Sequence, residues 1–163
     1  MRELTVAHLG MDRNTESPVV ILREREGSRV LPIWIGPAEA SAIAMELQGV
    51  KAARPMTHDL LKQVIVGLGG ELRRVLISAV KENTYFAELL IQREDHVFQV
   101  DARPSDSIAL ALRLGAPIFA SDQLLDESGV TADESPDQAD RDAQRLREYL
   151  ENLDPEDFGK FKP

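Results

Sequence analysis

An internal repeat constrains this chain more than any other feature. Displaced by 67 residues, RVLPIWIGPAEASAIAMEL (29–47) falls on HVFQVDARPSDSIALALRL (96–114). Val30, Pro37, Ala42, Ala44 and Leu47 meet Val97, Pro104, Ala109, Ala111 and Leu114 as identities, and Glu39 meets Asp106. A second match, displaced by 64, sets THDLL (57–61) on SDQLL (121–125). The pattern reads as two copies of one supersecondary unit.

Each unit opens with alternating, β-branched runs of strand character. They are LTVAHLGM, PVVILRE and RVLPIWI in the first, and ELRRVLISAV, YFAELLIQ and HVFQVDA in the second. The last two strands of each set form a hairpin, with Gly27 in one turn and Asp95 in the other. Two helices follow. The first begins at Pro37 or Pro104, where a missing N–H costs nothing. Glu39 and Asp106 then occupy the third helical position, where a carboxylate meets free amides and the positive end of the helix dipole. The second helix starts after Thr57 as N-cap and carries a stripe of Leu60, Leu61, Val64, Ile65 and Leu68 before Gly69 and Gly70 stop it. Its counterpart after Ser121 is short. The expected class is α+β: a duplicated β-β-β-α-α unit forming one barrel-like mixed sheet with flanking helices, plus a C-terminal helix. Residues 1–125 are the domain, with repeats about 1–70 and 71–125. Residues 126–163 are an extension: a mobile acidic loop, DESGVTADESPDQ, then a stripe through Ala139, Ala143, Leu146, Tyr149 or Leu150, and Leu153 that ends near LDPEDF.

At 163 residues the chain can bury one core without staples, and the absence of cysteine excludes disulfides, zinc-thiolate sites and thiol nucleophiles. Neither a signal peptide nor a spanning segment is evident, so a cytoplasmic protein is expected. A net charge of -9 argues against gripping polyanions, yet residues 126–163 hold 12 acids against 5 bases and leave 16 acids and 14 bases for the body. The body can therefore present a local basic patch around Lys51, Arg54, Arg73, Arg74 and Arg103.

The segments LPIWIGPAEASAIAMELQG, RPMTHDLLKQVI and VDARPSDSIALALRLGAPIF resemble the bifunctional nuclease domain family over residues 4–130. That resemblance implies a fold of two β-β-β-α-α units, a frequent oligomer, and non-specific DNase and RNase activity. The family motif maps onto Glu39, Arg54, Thr57, His58, Asp59, Arg103, Ser105 and Asp106. One departure is Asn83, in a turn where glycine is more usual.

Phosphodiester hydrolysis needs an activated water, neutralised phosphoryl oxygens and help for the leaving oxygen, demands that carboxylate-bound divalent cations commonly meet. The carboxylates of Glu39, Asp59, Asp101 and Asp106 stand at strand ends or helix starts, and hard oxygen ligands suit magnesium or manganese. The expected metal set is Glu39, Asp59 and Asp106. Arg103 orients phosphate with Arg54 and Ser105, and His58, an imidazole at a helix start, activates water or ligates. The competing reading makes Glu39 and Asp106 simple helix caps, Arg103 their structural partner and His58 a surface residue. On that reading the chain is a non-enzymatic oligomeric binding or regulatory module with an acidic C-terminal cover. Trp34, in a strand pattern, is expected in the core; a base-stacking role would require exposure, and aromatics at 5% of the chain are too few for an interleaved nucleic-acid platform.

Overall fold

The computed structural model describes residues 1–131 and 136–153. The first half of the chain runs β1 (Arg2–Met11), β2 (Pro18–Glu24), β3 (Arg29–Trp34), α1 (Pro37–Leu47) and α2 (Thr57–Gly67). The second runs β4 (Glu71–Lys81), β5 (Thr84–Arg93), β6 (His96–Ala102), α3 (Pro104–Leu114), β7 (Ile118–Ala120), α4 (Asp122–Ser128) and β8 (Val130–Thr131), followed by α5 (Pro136–Glu151). The class is α+β.

One eight-stranded mixed sheet has the order β6-β5-β4-β7-β1-β2-β3-β8. Two antiparallel meanders, β1-β2-β3 and β4-β5-β6, are joined by β7, which pairs parallel to β4 and antiparallel to β1. The sheet is open, with β6 and β8 at its edges, so the expected barrel-like closure is not found. The seam strand β7 was not anticipated, because three residues are too few to show alternation.

The β4–β5 hairpin turns through Glu82 (φ 49°) and Asn83 (φ 59°), the left-handed pair of a type I′ turn. Asn tolerates that conformation, which accounts for its standing where glycine is more usual. In the β5–β6 turn Glu94 (φ 51°), not Asp95, takes the positive φ.

Helix α3 is the centre of the molecule. Ile108, Ala109, Leu110 and Ala111 are fully buried between the sheet and helices α1 and α2, as expected of a helix apolar nearly all round. Under it lie Val75, Ile77, Ala87 and Leu89 of β4 and β5, in one core with Val20, Leu22, Leu31 and Ile33 of the first meander. The stripe on α2 is different. Ile65 is buried, but Leu60, Leu61, Val64 and Leu68 are exposed.

Ser121 caps α4 through its hydroxyl, which accepts from the Leu124 amide at 3.1 Å. The acidic run expected as a mobile loop is partly ordered, since 126–128 finish α4 and Val130–Thr131 form β8 against Arg29–Val30. Residues 132–135 of that run, and the C-terminal LDPEDF segment from residue 154, lie outside the described residues. Helix α5 packs on β1, with Leu146 in the core and Tyr149 and Leu150 against it. Gly10 permits this approach, since a Cβ there would lie 2.9 Å from the Asp142 Cβ. No helix among the described residues is long and apolar enough to cross a membrane.

Candidate functional site

The N-termini of α1, α2 and α3 meet through charged side chains. Prolines at Pro37 and Pro104 start α1 and α3 directly after an extended N-cap residue, Gly36 or Arg103, and neither helix has a side-chain cap. Glu39 and Asp106 stand in the first turns of α1 and α3 and direct their carboxylates to Arg103. Arg103 spans them, donating from Nη2 to Glu39 Oε1 at 2.6 Å and from Nε to Asp106 Oδ2 at 2.9 Å. The second oxygen of Asp106 lies 2.9 Å from His58 Nε2. A chain of four groups results, Glu39–Arg103–Asp106–His58. Gly36 makes room for its first member, because a Cβ at that position would lie 2.5 Å from Glu39 Oε2.

Arg103 is the exposed member of this chain, and Glu39 on one side of it is 14% accessible. The Arg103 side chain is 67% accessible, Asp106 29% and His58 11%. Two carboxylates raise the pKa of Arg103, Asp106 contributing more than Glu39, so its charge is permanent. Glu39, Asp106 and Arg103 together carry one net negative charge.

Asp59 belongs to a separate arrangement. It caps α2 by accepting from the Met56 amide at 3.0 Å, and its other oxygen accepts from Arg113 Nε at 2.8 Å. Arg113 is buried on α3 and also donates to the carbonyls of Ala109 and Ala42, so one guanidinium ties α1, α2 and α3 together. The Arg113 hydrogen bond, followed by the Met56 amide, holds the Asp59 carboxyl below the usual carboxylate range. Sequence reasoning missed Arg113, although a lone arginine in an otherwise apolar helix is a signal for a buried, paired charge.

The structure thus brings Glu39, Arg103, Asp106 and His58 together and turns Asp59 away to Arg113. Thr57 is the first residue of α2, and Met56 holds the N-cap position expected for it. Arg54 is exposed in the α1–α2 loop. Asp101 is exposed on β6, opposite Glu88. His96 is exposed and stacks on Phe98, while His8 is half-buried on β1.

The shared cation expected on Glu39, Asp59 and Asp106 does not fit this arrangement. Arg103 occupies the space between the first and third carboxylates, and Arg113 engages the second. Among the described residues no three His, Asp or Glu side chains converge as a metal site.

Arg103 and Ser105 line an open cleft of about 370 Å³ with Trp34, Asn83, Thr84 and Tyr85. Asn83, in the β4–β5 turn as expected, lies on the wall of this cleft. Trp34 was expected in the core but is 48% accessible, because the alternation that buries Leu31 and Ile33 sends Trp34 to the other sheet face.

A family model described as the bifunctional nuclease domain matches residues 20–133. An uncharacterised protein of Mycobacterium tuberculosis is 41% identical over 97% of this chain and 98% of its own length. Bifunctional nuclease 2 of Oryza sativa is 31% identical over 69% of this chain, and bifunctional nuclease 1 of Arabidopsis thaliana is 27% identical over 72%. The matches span only 36% and 38% of those two plant proteins.

Proposed function

Because the chain belongs to the bifunctional nuclease domain family, we propose that it hydrolyses phosphodiester bonds in DNA and RNA with low sequence specificity. The observation that carries this reading is the linkage of an exposed, permanently charged Arg103 in a cleft to a carboxylate–imidazole pair behind it. A guanidinium forks onto two phosphoryl oxygens as readily as onto a carboxylate.

The geometry supports a division of labour. When Arg103 turns to a phosphodiester it releases Asp106 Oδ2, while His58 continues to hold Oδ1. The freed oxygen takes the proton of the attacking water as the water oxygen bonds to phosphorus and the P–O bond to the leaving oxygen breaks, the leaving oxygen taking its proton from solvent in the open cleft. Arg103 offsets the charge that builds on the phosphoryl oxygens. Ser105, largely buried, lines the cleft beside Arg103.

Purified full-length protein is incubated with single-stranded DNA and with RNA, with magnesium, with manganese and with chelator. Cleavage that is lost in Asp106→Asn and Arg103→Ala supports the reading; no cleavage under any of these conditions, or cleavage indifferent to both changes, overturns it.

A second reading has its own support. Every charged member of the cluster is paired with another, as suits a clamp between helices in a non-enzymatic binding or regulatory module. On that reading His58→Ala lowers stability and no catalytic rate exists to be changed. A homo-oligomer accords with either reading. Edge strand β6 exposes Val97, Phe98 and Val100, and α2 exposes Leu60, Leu61 and Val64, more uncovered apolar surface than scattered residues explain.

A further inference from the structure

Trp34 is the only tryptophan of the chain and stands half-exposed at the end of β3. Exposed indoles are uncommon, and this one is held in place. Its Nε1–H donates to Asp12 Oδ2 at 2.7 Å, and Asp12 also accepts from the Asn14 amide at 2.9 Å and the Thr15 hydroxyl at 3.0 Å. The ring is thereby anchored at its polar edge to the turn that follows β1. A flat apolar surface fixed before any ligand arrives loses little freedom on binding.

Two clefts meet at this ring. One, described above, holds Arg103, Ser105 and Tyr85. The other, of about 440 Å³, lies on the outer sheet face over Val19, Ile21 and Pro32, and its polar rim includes Arg13 and Asn14. Its acids are already engaged, Asp12 by the three donors just named and Asp142 by Arg13 and Gln138. A guanidinium for phosphate therefore stands on one side of an anchored aromatic ring, with hydrogen-bonding groups over an apolar floor on the other.

We propose that Trp34 is a base-stacking platform for single-stranded nucleic acid, with a backbone phosphate on Arg103 and the adjoining nucleotide in the cleft beside Arg13 and Asn14. Every base has a π-face, so stacking accepts any sequence but requires a base that is not already stacked in a duplex. The proposal deepens the nuclease reading and rests on it for the role of Arg103, and it assigns the substrate as single-stranded.

Because no other tryptophan is present, the fluorescence of the full-length protein, excited at the red edge where the two tyrosines do not absorb, reports this ring alone. The protein is titrated, with chelator present, with a short oligothymidylate and with a duplex of equal length. Saturable quenching by the single strand and little by the duplex is the expected result. In parallel, the anisotropy of a fluorescein-labelled strand measures binding to variants. Trp34→Ala weakens binding about tenfold, as loss of one stacked base does, and Trp34→Phe retains most of it. No quenching by the single strand, equal quenching by the duplex, or undiminished binding by Trp34→Ala overturns the proposal. The two readings fail separately. Binding that depends on Trp34 without cleavage removes the nuclease and keeps the platform, whereas cleavage with unchanged KM in Trp34→Ala removes the platform and keeps the nuclease.

Discussion

His58 Nε2 and Asp106 Oδ1 stand 2.9 Å apart, joining the first turns of α2 and α3 across 48 residues of chain. Because Asp106 also binds Arg103, this contact sets the direction in which the second carboxylate oxygen faces. Asp106→Asn is expected to lower cleavage at least about a hundredfold, the scale of a lost general base. His58→Ala leaves the base but frees its orientation, so a smaller loss is expected. Initial rates with matched thermal melts separate these effects from unfolding.

Arg103 is held by two carboxylates, and its fork matters as much as its charge. Arg103→Lys keeps the charge but cannot span Glu39 and Asp106 with fixed geometry, so KM for a nucleic-acid substrate is expected to rise about tenfold. Arg103→Ala leaves Glu39 and Asp106 facing each other without compensation. Manganese binding, read by water-proton relaxation, is expected to be stronger in that variant than in the parent protein. Equal binding in the two would show that the guanidinium does not compete for the cation position.

Asp59 and Arg113 form the partly buried pair that ties three helices together. Removal of one partner from such a pair leaves a buried charge, and Asp59→Ala is expected to cost about 3 kcal/mol in denaturant unfolding. The pH dependence has a defined sign. The folded pKa of Asp59 lies below its ordinary value, so the contribution is complete above about pH 4 and disappears as pH falls through the lower, folded value. The stability gap between parent and variant should therefore narrow only in that acid range. A gap that widens there would contradict the assignment.

Among the described residues the outer edge of β6 is unpaired, and Phe98 and Val100 lie on the sheet face that continues the core surface of Leu89 and Ile91. An edge strand with apolar residues of this kind is a template for pairing with another chain. Replacing both with lysine is expected to reduce the molar mass measured by light scattering at unchanged thermal stability. A protein that is monomeric before the change would remove the oligomer proposal.

Much of the architecture was legible from local signals. Strand alternation, the two proline starts at Pro37 and Pro104, and the cap at Ser121 mark their elements without reference to the rest of the chain. The buried faces were less legible. The α2 stripe reads the same whether it meets a core or a partner, and Trp34 shows no preference for one sheet face until the register of β2 and β3 is known.

By itself the sequence determined the residue types at the helix starts, an acid two positions after each proline, an arginine before one of them and a histidine near a third. These are consequences of short-range rules of helix initiation. The tertiary structure alone decided that Glu39 and Asp106, 67 residues apart, share one guanidinium while Asp59, beside His58, turns to another. The physical reason is that pairing of charges depends on which helix ends the packing around α3 brings within hydrogen-bond reach, and distance along the chain carries no information about that.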